Sequence, residues 1–158
     1  MSKNNKSGFT IIEVSLVLAI AGMIFLMVFV ALPALQRSQR DAKRKDDILL
    51  FLEAVKKYQS NNRGALPADG DWDDVKKYIS GDFKDPSGND YILAVKACHT
   101  SGDGANCVNW PLTSSMDYKL HIYKQATCDG ENTMKTSNPK NIAVVYRLEG
   151  SGVYCANT

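Results

Sequence analysis

The residues able to do chemistry in this chain are few and unevenly placed. Cys98, Cys107, Cys128 and Cys155 all lie in its second half, His99 and His121 are the only imidazoles, and Glu13 is a lone carboxylate in an apolar run. An even cysteine count downstream of an apolar segment reads as two disulfides in an oxidising space. Zinc is the competing reading, but no cysteine pair has C-x-x-C spacing and only His99 and His121 could assist. Asp69, Asp71 and Asp73 have the spacing that opens a calcium loop. That loop needs glycine where Asp74 stands and glutamate where Ser80 stands, and acidic capping of a short helix accounts for the acids instead. No Ser/His/Asp set falls on matching elements and no glycine-rich phosphate loop occurs. The chain is therefore expected to be no enzyme and to hold no metal or cofactor.

Charge says where these groups must sit. Within residues 9–35 only Glu13 is charged, while most of the 19 basic and 17 acidic side chains come later. This divides a lipid-compatible stem from a water-soluble head. The formal charge of +2 is carried by Lys3 and Lys6; without the first eight residues 17 basic groups face 17 acidic ones. A neutral chain of 158 residues suits one domain with a modest core and excludes a strongly basic nucleic-acid binder.

Three readings compete for the N-terminus. A secretory signal needs a small-residue cleavage site; Ala19-Ile20-Ala21 supplies one, but mostly apolar residues continue to Pro33 and would bury it in the bilayer. A plain anchor fits residues 14–32, which are uncharged and, at about 1.5 Å each, span roughly 30 Å of hydrocarbon. The third reading adds a processing step to that anchor, and Glu13 selects it. An ionised acid in lipid costs on the order of a few kcal/mol, and a helix N-terminus offsets only part of that.

The run Ser7-Gly8-Phe9-Thr10-Ile11-Ile12-Glu13-Val14, with Lys3 and Lys6 before it, resembles the cleavage and methylation motif of type IV prepilins. The resemblance implies that Gly8 ends a leader cut by an inner-membrane prepilin peptidase. Glycine there leaves the backbone open to a protease. Phe9 would become the N-methylated N-terminus, and Glu13 would pair with its α-ammonium in the same or a neighbouring subunit. In a dry filament core that pair neutralises two costly charges and sets register. Gly22 falls where the family commonly has glycine. Pro33 departs from the pattern, because the family's usual proline falls at Val30. A helix kink is expected at Pro33, where proline frees the carbonyl of Phe29.

Beyond Pro33 the pattern becomes amphipathic. Ile48, Leu52, Val55 and Gln59, widened by Leu49, Phe51 and Tyr58, form an apolar stripe, with Arg37, Arg40, Lys43, Arg44, Asp46, Lys56 and Lys57 on the other face. One helix over residues 9–62 would extend on the order of 80 Å. It stops at Asn61-Asn62-Arg63-Gly64, where Gly64 supplies a left-handed cap and Pro67 prevents continuation. Arg37, Arg40, Lys43, Arg44 and Lys45 would attract anionic headgroups or, in a DNA-uptake filament, phosphate. Asp41, Asp46 and Asp47 are interleaved, and the mixed signs favour a solvated helix face.

In the head, Lys84-Asp85-Pro86-Ser87-Gly88-Asn89-Asp90-Tyr91 is a turn by composition and resembles the D-P-x-G-x-x-Y loop of pilins and major pseudopilins. Strands are predicted over residues 91–98, 118–128, 141–149 and 153–155, the last two joined at Gly150-Ser151-Gly152. The four cysteines allow three pairings. Cys98 with Cys107 closes a short loop, and Cys128 with Cys155 resembles the C-terminal disulfide of many pilins. Residues 129–140 would then form an exposed, variable loop.

The fold class is α+β: a long N-terminal helix, transmembrane then amphipathic, covered by a C-terminal antiparallel sheet, as in pilins. The expected segments are a leader (1–8), a transmembrane and filament-core helix (9–35), an amphipathic half (36–62) and a disulfide-bearing head (63–158). The resemblance implies a filament subunit serving adhesion, motility or DNA uptake. It would sit as a single-pass protein of the cytoplasmic membrane, head outside, and then in an extracellular pilus. Implied partners are further copies of the chain, prepilin peptidase and the inner-membrane assembly platform with its ATPase; DNA is weakly supported. A secretion pseudopilin or minor pilin is the alternative within the class. Outside it stands a membrane-tethered binding module that never polymerises and stays with membranes on shearing.

Overall fold

A computed structural model describes residues 8–98, 107, 118–150 and 152–158. The chain divides into two compact units, Met1–Ser38 and Gln39–Thr158. Helix α1 (Ile11–Asn61) contributes to both.

In the first unit, every described residue is exposed except Ala21, which is half-buried. Phe9, Ile12, Met27, Phe29 and Val30 are each at least 73% exposed, a cost in water that lipid or protein contact removes. The segment is long and apolar enough to cross a membrane. The helix assignment is unbroken at Pro33.

In the second unit, the remainder of α1 buries Ile48, Phe51, Leu52, Ala54 and Val55, the spacing of one helix face. That face runs through Ala54 and not Leu49. Leu49 is 46% exposed, because it lies one residue past Ile48 and turns away from the sheet. The helix ends with Gly64 N–H donating to the Gln59 carbonyl at 2.7 Å. Arg63, at φ 56°, takes the left-handed capping position, with Gly64 at φ 79° just after it. The short helix α2 (Asp73–Lys76) buries Val75 but starts at Trp72 without a side-chain cap. Its acids pair forward instead, Asp73 with Lys76 and Asp74 with Lys77.

Six strands follow: β1 (Ile92–Ala97), β2 (Lys119–Lys124), β3 (Ala126–Asp129), β4 (Asn132–Lys135), β5 (Ile142–Arg147) and β6 (Val153–Asn157). The main sheet has the order β1-β2-β5-β6. β2–β5 and β5–β6 are antiparallel, but β1–β2 is parallel, Ile92 opposite Lys119. Parallel neighbours need a long connection in sequence, and β1 ends at Ala97 while β2 begins at Lys119. The strand predicted over 118–128 breaks at Gln125, which sits at φ 58°. Its second part, β3, pairs with β4 in a separate hairpin. Residues 132–135 are thus strand and not loop, and Thr133 is fully buried.

The alternation of the strands gives the sheet two faces. Leu93, Val95, Leu120, Ile122, Ile142, Val144, Tyr146, Tyr154 and Ala156 pack with α1 in the main core. Tyr123, Ala143 and Val145 point the other way and join Ala126, Cys98 and Cys107 in a smaller second core. Cys98 is bonded to Cys107 and Cys128 to Cys155. Both disulfides therefore belong to the face away from α1.

Candidate functional site

Among the described residues, two places concentrate polar chemistry, one in each unit. The first is the start of α1. Thr10 N–H and Thr10 Oγ1 donate to Glu13 Oε2 at 2.9 and 2.8 Å, and Glu13 N–H returns a bond to Thr10 Oγ1 at 3.3 Å. This is a capping box, which satisfies two of the orphan donors of a first turn reciprocally. The Thr10-x-x-Glu13 spacing was present in the sequence. It adds a local partner for the carboxylate to whatever it meets in an assembly. Gly8 and Phe9 precede the helix and are exposed. A Cβ on Gly8 or on Gly22 would meet no atom within 4 Å.

The second place is a buried charge cluster at the head end of α1. Arg44, 1% exposed, is its centre. Its Nε donates to Asp85 Oδ2 at 2.6 Å, its Nη1 to Asp41 Oδ1 at 3.0 Å, and its Nη2 lies 2.7 Å from Glu149 Oε1. Arg40 grips the same Glu149 from outside, Nε to Oε1 at 3.0 Å and Nη2 to Oε2 at 2.6 Å. Asp41 also accepts the backbone N–H groups of Glu149 and Gly150, both at 3.0 Å. It thereby fixes the turn after β5 to the helix. Asp85 accepts Ser87 N–H at 2.9 Å and Tyr146 Oη–H at 3.2 Å. Beside it, Tyr91 donates to Asp47 Oδ2 at 3.1 Å, and Lys43 pairs with the same carboxylate.

The electrostatics follow from these contacts. Burial acts to lower Arg44, but hydrogen bonds to Asp85 and Glu149 outweigh it and the guanidinium is held firmly protonated. The hydrogen bond from Arg40 leads in drawing Glu149 down to about 2. Asp85 is lowered as well, its burial overcome by Arg44 and Ser87. Burial, then the Asp47 charge, pushes the Tyr91 hydroxyl up, so it remains a donor. Three segments converge here: α1, the Asp85-Pro86-Ser87-Gly88 turn, and β5 with the turn that follows it. The turn presents Asp85 because Gly88, at φ 87°, lets its N–H reach the Asp85 carbonyl at 2.7 Å.

This corrects part of the reading of the basic cluster as a solvated face: Arg37, Lys43 and Asp46 are exposed, as expected of such a face, but the others are not all so. Asp41, Arg44 and Asp47 are buried, because Asp85 and Glu149, distant in sequence, replace the water that isolated charges need. Of the cations once grouped as a phosphate-attracting patch, Arg40, Lys43 and Arg44 hold acidic partners, and Lys45 lies 5.5 Å from the Tyr154 ring centroid. The signal lay in periodicity: Arg44 stands four residues before Ile48, in line with the buried stripe.

Among the described residues, no group of three or more His, Cys, Asp or Glu is placed to hold a metal ion. Asp69 pairs with Lys124 and Asp73 with Lys76, which spends those acids on lysines. His121 is half-buried on β2, and His99 lies outside the described residues.

Residues 3–29 match the prokaryotic N-terminal methylation motif, the signature of type IV prepilins. No curated protein and no solved structure matches the chain. The match is confined to residues 3–29; with an α+β layout of a long N-terminal helix packed on an antiparallel-rich sheet, which is consistent with the pilin fold, it supports a type IV pilin-like or pseudopilin protein. In general it implies processing by prepilin peptidase and assembly into filaments, and the apolar helix fits a membrane-anchored precursor.

Proposed function

We propose that this chain is the structural subunit of a type IV pilus-like filament, stored in the cytoplasmic membrane, cut once and then polymerised through its N-terminal helix. The carrying observation is Gly8-Phe9 with Glu13 at the head of an uncharged helix segment whose large apolar side chains are exposed. Lipid satisfies that surface before assembly, and the helices of neighbouring copies satisfy it afterwards. Cleavage after Gly8 creates the α-ammonium of Phe9, which is then methylated and placed to neutralise a Glu13 carboxylate. The residues near Pro33, which lacks the N–H that the Phe29 carbonyl would accept, form the segment that bends or stretches in the filament. The head, cross-linked by its disulfides, is the outward part of the subunit.

Intact-mass spectrometry of the protein purified from membranes and from sheared filaments tests this reading. The expected product begins with methyl-Phe9 and carries two disulfides. An intact Met1, or a cut near Ala21, would refute it. A second arm uses Glu13→Val. Processing after Gly8 should proceed while filament yield falls by about an order of magnitude or more. Normal filaments from that variant would rule out the proposed pair.

A further inference from the structure

Support for α1 changes abruptly along its sequence. Pro33 stands inside the helix and offers no N–H to the carbonyl of Phe29. Residues 31–39 are all exposed, Arg40 is half-buried and Asp41 is buried. Without a covered face, a helical stretch gains little more from each hydrogen bond than it loses in backbone entropy. Loosening that starts at Pro33 therefore meets little resistance as far as Gln39.

Resistance begins at two consecutive residues. Arg40 holds both carboxylate oxygens of Glu149, and Asp41 accepts the backbone N–H groups of Glu149 and Gly150. One dipeptide is thus seized by its carboxylate and by both of its amides. Gly150 permits the approach, since a Cβ there would lie 3.3 Å from Asp41 Oδ2. Arg44, one turn further on, reaches the same Glu149 carboxylate at 2.7 Å. Residues at i and i+4 face the same way only while the backbone stays helical, so a single carboxylate locks the turn from Arg40 to Arg44. The dipeptide is itself anchored. Leu148 N–H donates to the Gly152 carbonyl at 2.8 Å, and the preceding strand β5 is paired on both sides. Uncoiling α1 at Arg40 or Asp41 would strand two N–H groups and a carboxylate that is 12% exposed, which is costly.

We propose that the grip of Arg40 and Asp41 on Glu149 and Gly150 is a built-in stop, the point at which loosening of α1 that starts at Pro33 ends. Residues 34–39 open and close as one local unit, while the Arg44 cluster and the core beyond it stay closed. The exposed part of the helix can then bend or lengthen without loss of packing in the head. The stop needs only Pro33 and the grip, and it does not depend on processing at Gly8 or on assembly.

Amide hydrogen exchange on the full chain in lipid nanodiscs tests this. The amides of residues 36–39 should exchange about 100-fold faster than those of residues 45–48, with a step between the two groups. Asp41→Asn keeps the size of the side chain but sets an NH₂ group in place of one acceptor. It should speed exchange at residues 42–45 about tenfold and leave the β5 amides of Val144 and Tyr146 unchanged. Gly150→Ala, which crowds Asp41 from the other side, should move the step in the same direction by a smaller factor. Pro33→Ala should slow exchange at residues 36–39 several-fold and leave residues 45–48 as they were. A smooth gradient through residues 36–48, a step that neither Asp41→Asn nor Gly150→Ala moves, or unchanged exchange at residues 36–39 in Pro33→Ala would each overturn the proposal. So would loss of protection at Val144 and Tyr146 in both grip variants, because the grip would then hold the whole head together instead of halting a local opening.

Discussion

Helix α1 contains an apolar part that is exposed and a charged part that is buried, the reverse of what composition alone suggests. Before Ser38 its large hydrophobic side chains stand open, Phe29 at 73% and Val30 at 81%. After Gln39 it places Asp41, Arg44 and Asp47 out of solvent. The difference teaches that burial follows the supply of partners more than polarity. The head provides Arg44 with carboxylates on three sides, so each charge loses water but gains charge-assisted bonds. The described residues of the first unit leave Phe29 and Val30 exposed. Glu13 shows the same logic in miniature, since its charge sits where the Thr10 N–H and hydroxyl can reach it.

The largest expected effect is on the buried side. Arg44→Ala would leave Asp85, with a side chain 0% exposed, without its cation. Breaking a buried pair by removing one partner costs about 3 to 5 kcal/mol. Urea unfolding of the full chain in detergent should show a loss of this size. A loss below about 1 kcal/mol would make the cluster equivalent to surface ion pairs and remove the contrast drawn above.

Next in size are the disulfides, which hold the face of the sheet away from α1. Cys128 and Cys155 are 27 residues apart, so replacing both with serine should cost about 3 to 4 kcal/mol through loop entropy. The Cys98–Cys107 separation is 9, and its removal should cost about 1 kcal/mol less. Equal losses in the same unfolding assay would mean that packing in the second core, not loop closure, dominates.

How much of this was legible in the sequence differs between the two halves for a physical reason. The N-terminal motif is contiguous, so Gly8, Phe9 and Glu13 could be read as a unit, and an uncharged run of 19 residues needs no tertiary context. The Arg44 cluster joins residues 41 and 105 positions apart, and no local pattern announces that Asp85 and Glu149 arrive together. The β3–β4 hairpin is a different failure. Asp129-Gly130 is a strong hairpin signal, with Gly130 at φ 61° in the turn. The left-handed backbone at Gln125, which splits 118–128 into β2 and β3, leaves no mark in the residue pattern. The parallel pairing of β1 with β2 sets Ile92 opposite Lys119, far apart in sequence, and no local pattern announces that direction.

Acid separates the halves more gently. The Glu149 carboxyl is lowered from an ordinary 4.5 to about 2, chiefly by Arg40, and Asp85 is lowered too. Groups depressed in the folded state stabilise it fully above their unfolded value and lose that contribution as pH falls through the folded one. Head stability should therefore decline between about pH 4.5 and 2. Glu149→Gln should flatten that slope while lowering stability at neutral pH. An unchanged slope in the variant would place the acid sensitivity elsewhere.

The smallest effect concerns the capping box and bears on what Glu13 is for. Thr10→Ala deletes the hydroxyl that shares Glu13 Oε2 and receives Glu13 N–H. It leaves the carboxylate and the motif's Gly8, Phe9 and Glu13 in place. Loss of such a cap costs about 1 kcal/mol, confined to the first turn. Hydrogen exchange at the Ile12, Glu13 and Val14 amides should speed up several-fold, with no change in the unfolding of the head. Filament yield should fall far less than with Glu13→Val, because a subunit with a frayed first turn still presents its charge to a neighbouring α-ammonium. If Thr10→Ala matched Glu13→Val in lost filaments, capping would be the main duty of Glu13 and the intersubunit pair would be unnecessary.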